Sequence, residues 1–207
     1  MITIYHLSTS RSERIVWLME ELGLEYKLER FEREPNGAAP EALKAIHSLG
    51  RAPIIRDGET VLAESGAIVD YIIHRYGGNR LAVPPTAPEY ARYLYWLHFA
   101  EGSLMSVLIV PLVLTRVPQG SASPAGTRIL ERMKQTLAFI NLELAGGPYF
   151  VGASFTAADV MMTFPFTTMR LFLDYDLAPY PNIIAYLKRI EARPAYQRAM
   201  ALAGAKT

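Results

Sequence analysis

The chain has 207 residues, of which 51% are hydrophobic and 20% charged, with a formal net charge of +1 and no cysteine. That length and apolar content can fill one large core or two smaller ones and argue against disorder, while the near-neutral balance lacks the basic excess of a nucleic-acid footprint. Without cysteine there can be no disulfide, no cysteine metal site and no redox or nucleophilic thiol on the protein, so any thiol in its chemistry must come from a ligand.

In chain order, Ile2 to Tyr5 reads as a short strand. Ser10 to Leu22 reads as a helix with Ile15, Leu18, Met19 and Leu22 on one face, ended by Gly23 as a left-handed cap. Tyr26 to Phe31 is a second strand, expected to lie parallel to the first, which makes a βαβ unit. The polar run from Glu32 to Ala39 carries Pro35 and Gly37 and reads as a loop, with a short helix near Pro40 to Ile46.

The stretch from Leu49 to Ile68, LGRAPIIRDGETVLAESGAI, predicts a turn, two short strands joined at Asp57-Gly58, and the start of a helix. Pro53 opens the first of these strands, where its missing N–H does least harm to the sheet. A cis Ala52–Pro53 bond is expected there and would turn the N–H and C=O of Ala52 outward for an extended peptide. Glu64-Ser65 stands at the helix start, where unpaired N–H groups and a partial positive charge favour a carboxylate. The Glu64 side chain beside it suits an ammonium, so the pair fits the zwitterionic end of an amino acid. The plainer alternative for both residues is a helix cap.

The helix Ser65 to Tyr76 closes a first domain of residues 1–78, and 79–87, with Pro84-Pro85, reads as a linker. Residues 88–207 are helical in pattern. A long helix from about Pro88 to Arg116 is expected to kink or break at Pro111, and a Pro-, Gly- and Ser-rich loop follows. The next helix places Leu130, Met133, Leu137, Ile140 and Leu144 at helical spacing. Thr156 with Asp159 predicts a capping box and Phe155 with Val160 a hydrophobic staple. Further helices are expected near Asn182 to Ala192 and Ala195 to Leu202. The first basic residue is Arg11, so no secretory signal is apparent. Leu104 to Leu114 is shorter than the ~20 residues of a membrane span, and a cytoplasmic protein is the default expectation.

Taken together, LGRAPII followed by LAESGAI, YHLSTSRSERIVWLMEELGLEY at the start, FTAADV at 155–160 and YLKRIEARPAYQRA near the end resemble the cytosolic glutathione transferases. The resemblance runs over nearly the whole length and is closest to bacterial and fungal members that use a hydroxyl. It implies an α/β thioredoxin-like N-terminal domain plus an all-α helical C-terminal domain. It also implies glutathione as co-substrate, a small apolar electrophile bound between the domains, and a homodimer. By the same resemblance Arg51, Ala52, Pro53, Glu64 and Ser65 bind glutathione, Asp159 is structural, and the face with His98, Gly102 and Met105, together with Leu7, contacts the electrophile. His47-Ser48 replaces the Asn-Pro often found before the Leu-Gly turn.

A hydroxyl near the start of the first helix can donate a hydrogen bond to the glutathione sulfur, where the helix dipole also favours the thiolate. Matching Arg14-Ile15-Val16 to serine-type members selects Ser10, whereas matching Trp17 to tyrosine-type members selects Tyr5. Ser8 and Thr9 stay open, because a shift of the helix start by one or two residues changes which hydroxyl points inward. Ser10 with Glu13 also fits a plain capping box. His6, His47, His74 and His98 show no metal-ligand spacing and read as surface or packing residues.

Overall fold

The computed structural model describes residues 1–204, which divide into two compact units: Met1–Ala82 together with the segment from Glu191 onward, and Val83–Ile190.

In the first unit β1 (Ile2–Leu7), α1 (Glu13–Leu22), β2 (Tyr26–Phe31), β3 (Ile54–Asp57), β4 (Thr60–Ala63) and α2 (Ser65–Arg75) follow one another as βαβ and ββα. The four strands lie in the order β2-β1-β3-β4. β1 runs parallel to β2, with Ile4 opposite Leu28, and antiparallel to β3, with Ile4 opposite Ile55. The β3–β4 hairpin pairs Asp57 with Thr60, and Gly58 takes a positive φ of 57° in its two-residue loop. This is the expected thioredoxin-like order. Gly23 caps α1 in the left-handed region, and the Ala52–Pro53 bond is cis.

Two boundaries differ from the sequence expectation. β1 continues to Leu7, so Tyr5 stands within the strand instead of at its end. α1 begins at Glu13, because residues 10–12 form a turn whose serine hydroxyls bond to each other and to the Leu7 backbone. Serine side chains compete with helical hydrogen bonding in this way. The Glu13 N–H donates to the Ser10 carbonyl at 3.1 Å, and Ser12, the residue before the helix, makes no side-chain cap.

The last helix, α8 (Pro194–Ala203), belongs to the first unit although chain order groups it with the helical residues. It covers the outer side of α1: the Tyr196 and Trp17 rings meet edge to face at 4.9 Å, and Arg193 and Arg198 pair with Glu21 and Glu20.

The second unit is helical. α3 (Tyr90–Phe99), a π-helical stretch (Ala100–Met105) and α4 (Ser106–Leu114) form one continuous run. The irregularity therefore lies at the π-helical stretch, and Pro111 sits inside α4 without breaking it. Because the run is unbroken, Tyr90–Leu114 gives 25 helical residues, long and apolar enough by length and composition to cross a membrane, unlike the shorter segment considered from sequence. Its buried side is that of a bundle helix: Trp96 is fully enclosed, with Phe99, Phe139 and Phe150 around its ring. α5 (Pro124–Glu143) starts at Ser123, whose hydroxyl accepts the Gly126 N–H at 3.0 Å, and buries Met133, Leu137 and Ile140. α6 (Ala157–Phe166) is buried along its whole length and opens with the Thr156–Asp159 capping box, while α7 (Pro181–Glu191) packs Ile183, Tyr186, Leu187 and Ile190 inward.

Candidate functional site

The first unit carries a cleft of about 170 Å³ where β3, β4 and the start of α2 meet. Arg51, Ala52, Pro53, Glu64 and Ser65, the five residues expected to bind glutathione, all line it. Arg11, His47 and Leu49 complete much of the wall. Arg11, Arg51 and His47 thus share the lining with one carboxylate, Glu64, and the start of a helix adds partial positive charge. Such a lining suits a short peptide with two carboxylates and one ammonium.

Glu64 holds an unusual backbone, with φ 73° and ψ 119°, and as the residue before α2 it makes no side-chain cap. A non-glycine residue in that region costs about 1–3 kcal/mol. The plain capping role is thus not what its side chain does. Ser65 is 4% exposed and is the first residue of the helix.

The loop after β1 concentrates hydroxyl groups. Ser10 is 7% exposed, its Oγ lies 2.7 Å from Ser12 Oγ, and it accepts the Ser12 N–H at 3.3 Å. Ser12 Oγ in turn lies 2.8 Å from His6 Nδ1 and accepts the Leu7 N–H at 3.2 Å. Burial, aided by Arg30 and opposed by Glu32, pulls the His6 imidazole down to about 4, which keeps it neutral near pH 7. Arg33 fastens the loop from outside: its Nε donates to the Ser8 carbonyl at 3.1 Å and to Thr9 Oγ1 at 3.2 Å, and its Nη2 to the Thr9 carbonyl at 2.9 Å. The Thr9 hydroxyl donates to the Ser8 carbonyl at 2.7 Å, and Thr9 has a positive φ of 51°.

Tyr5 is on β1 in a cluster with Leu7, Leu43 and Ile54, and its hydroxyl accepts Arg56 Nε at 3.1 Å. Leu7 is 4% exposed and is part of that same cluster. In the second unit His98 and Gly102 line one open surface cavity with Leu94, Tyr95 and Phe99, but Met105 is 3% exposed and turned into the core. The π-helical stretch that begins at Ala100 alters the helical register after His98, which a uniform 3.6-residue period does not anticipate.

Sequence reasoning missed Arg11, His47 and Leu49 in the cleft and Ser12, His6 and Arg33 around the hydroxyl loop. The STSRS run offered the one legible signal, since serines two apart in a turn can reach one another. Arg33 lies 24 residues from Thr9, and no local pattern pointed to that contact.

Residues 1–74 match the family described as glutathione S-transferase, N-terminal domain, and residues 123–189 match its C-terminal domain. Glutathione S-transferase 3 of Schizosaccharomyces pombe is 34% identical over 94% of this chain and 85% of its own length. Glutathione S-transferase 1 of Saccharomyces cerevisiae is 31% identical over 95% and 92%. The crystal structure of a glutathione S-transferase from Actinobacillus pleuropneumoniae superposes with a TM-score of 0.89 at 35% identity, covering 99% of this chain and 94% of that one. A theta-class glutathione S-transferase from Xanthomonas axonopodis, solved with glutathione bound, gives a TM-score of 0.74 at 27% identity over 96% of each chain. With relatives above 30% identity over most of both chains and a solved structure of the same fold at 35% identity, the chain belongs to the glutathione S-transferase family.

Proposed function

We propose that this enzyme joins the thiolate of glutathione to small apolar electrophiles in the cytoplasm, as a homodimer. The observation that carries the reading is the cleft itself, which gathers Arg51, Ala52, Pro53, Glu64 and Ser65 at the start of α2. The γ-glutamyl end fits there, its carboxylate at Ser65 and the helix start and its ammonium on Glu64. Ala52 offers main-chain groups to the extended peptide, and Arg51 a cation to its second carboxylate.

Ser10 is the hydroxyl we assign to the sulfur. It is buried in a hydrogen-bonded turn beside Arg11 of the cleft wall, whereas Tyr5 packs within an apolar cluster with Leu7, Leu43 and Ile54. Stabilising the thiolate lowers the thiol from about pKa 8.5, and each unit is worth about 1.4 kcal/mol. The sulfur lone pair then attacks an electrophilic carbon, the C–S bond forms, and the displaced group leaves with the electron pair. As a side activity the same thiolate attacks a peroxide oxygen: the O–O bond breaks, the alkoxide leaves with the electron pair and takes up a proton, and the glutathione sulfenic acid condenses with a second glutathione to give the disulfide and water. Exposed Ile109, Val110 and Val113 on α4 support a second copy as the cover of that face.

The test is the thiolate absorbance of bound glutathione, titrated across pH on wild type, Ser10→Ala and Tyr5→Phe. A raised thiol pKa in Ser10→Ala alone supports the serine assignment; a rise in Tyr5→Phe alone transfers the role to Tyr5. If wild type binds no glutathione, the chain uses the fold for partner recognition instead.

A further inference from the structure

We propose that His6 and Ser12 are positioning residues that leave the hydroxyl hydrogen of Ser10 free for the glutathione sulfur. The inference rests on Ser10 as the group that contacts the thiolate. It follows from counting hydrogens on a buried chain of three side chains, in which His6 is 2%, Ser12 0% and Ser10 7% exposed.

Ser12 Oγ has three close partners, His6 Nδ1 at 2.8 Å, Ser10 Oγ at 2.7 Å and the Leu7 N–H at 3.2 Å, and a longer one, the Leu7 carbonyl at 3.3 Å. A hydroxyl owns one hydrogen and two acceptor sites. The Leu7 N–H can only donate, so it fills one acceptor site of Ser12. Two oxygens 2.7 Å apart need a hydrogen between them, so either Ser10 or Ser12 supplies it.

The tautomer of His6 decides which. If the ring proton sits on Nε2, Nδ1 must accept, and the Ser12 hydrogen goes to it. Ser12 then receives the hydrogen of Ser10, which has none left for sulfur. If the proton sits on Nδ1, His6 donates and fills the second acceptor site of Ser12. Ser12 must then give its own hydrogen to Ser10. Ser10 now accepts from Ser12 Oγ and from the Ser12 N–H at 3.3 Å, so both its acceptor sites are filled and its hydrogen is available. Only the Nδ1–H form makes Ser10 a donor.

Burial holds the imidazole neutral near pH 7, so the position of one proton, not the charge, is the variable. Ser12 and His6 touch no substrate in this scheme. They act through Ser10.

Nitrogen NMR of the full-length, isotope-labelled protein at neutral pH reads the tautomer directly and needs no variant. Protonation at Nδ1 of His6 is expected, and protonation at Nε2 overturns the proposal. In parallel, the pKa of bound glutathione is measured for His6→Phe, which cannot donate, and His6→Asn, whose amide N–H can. His6→Phe is expected to lower the thiolate fraction about tenfold at a pH below the thiol pKa, the scale of one lost hydrogen bond to a charged group. His6→Asn should restore most of it, and affinity for S-methylglutathione, which has no thiol to ionise, should stay within about twofold in both. His6→Phe placed on Ser10→Ala should add nothing. If Ser10→Ala raises the pKa and His6→Phe does not, the positioning role fails while the serine assignment stands. If Ser10→Ala leaves the pKa unchanged, the assignment of Ser10 itself fails.

Discussion

Arg193 grips Glu21 at two points, Nε to Oε1 at 2.7 Å and Nη2 to Oε2 at 2.8 Å, across 172 positions of the chain. The Glu21 side chain is only 8% exposed, and its Oε1 also accepts the Trp17 indole N–H at 2.9 Å. The neighbouring pair, Arg198 with Glu20, has a cation that is 55% exposed. A bidentate, mostly sheltered pair is worth more than a solvated one. Arg193→Ala is therefore expected to destabilise the protein by about 2–4 kcal/mol, because it leaves a sheltered carboxylate without its cation. Arg198→Ala should cost no more than about 1 kcal/mol. Urea unfolding of the two variants side by side checks the ranking, and equal losses would refute it.

Glu64 lines the cleft on a strained backbone. Its φ of 73° is tolerated by glycine at no steric cost. Glu64→Gly should release about 1–3 kcal/mol of strain and return about 0.4–1 kcal/mol to the entropy of the unfolded chain. The expected result is unchanged or higher stability, with glutathione affinity at least tenfold weaker through loss of the carboxylate. Glu64→Gln should weaken binding to a similar degree with no gain in stability. Calorimetric titration and thermal melts separate the two effects, and a melting point well below wild type for Glu64→Gly would count against strain at this position.

Stability should also depend on pH through His6. Its folded pKa of about 4 lies below the ordinary 6.5, so the unfolded chain binds the proton more tightly than the folded one. The stabilisation is complete above pH 6.5 and is lost as pH falls toward 4, with an upper limit of about 3 kcal/mol. Unfolding free energies of wild type and His6→Asn, compared between pH 7 and pH 4, should converge as the pH falls. A constant difference between them would show that His6 titrates normally in the folded state.

Asp159 anchors the start of α6. Its Oδ1 accepts the Phe150 N–H at 3.1 Å, and its Oδ2 accepts the Thr156 N–H at 2.9 Å and the Thr156 hydroxyl at 3.2 Å, all with the residue fully buried. Removing the carboxylate strands several buried donors at once, each costing about 1–3 kcal/mol. Asp159→Ala should lower stability by about 3 kcal/mol or more, or abolish soluble expression. Asp159→Asn, which keeps one acceptor oxygen, should lose less. Activity per folded molecule should stay near wild type, since the residue holds a helix and no substrate.

Local chemistry determined much of this protein from sequence alone. The Gly58 hairpin, the left-handed cap at Gly23 and the Thr156–Asp159 box each depend on residues a few positions apart, and each formed as expected. The five cleft residues were legible for the same reason, because 51–53 and 64–65 are joined by one short hairpin whose register is fixed by its turn. Tertiary structure decided the rest. Arg11 reaches the cleft from the turn before α1, 40 residues ahead of Arg51, and Arg33 and Arg193 find partners 24 and 172 residues away. The start of α1 moved because buried serine hydroxyls took hydrogen bonds that the helical period assigns to the backbone. The π-helical stretch shifted the face after His98 through packing that no repeat in the sequence encodes. Periodicity specifies which side of an element is apolar; only the folded chain specifies which distant group stands opposite it.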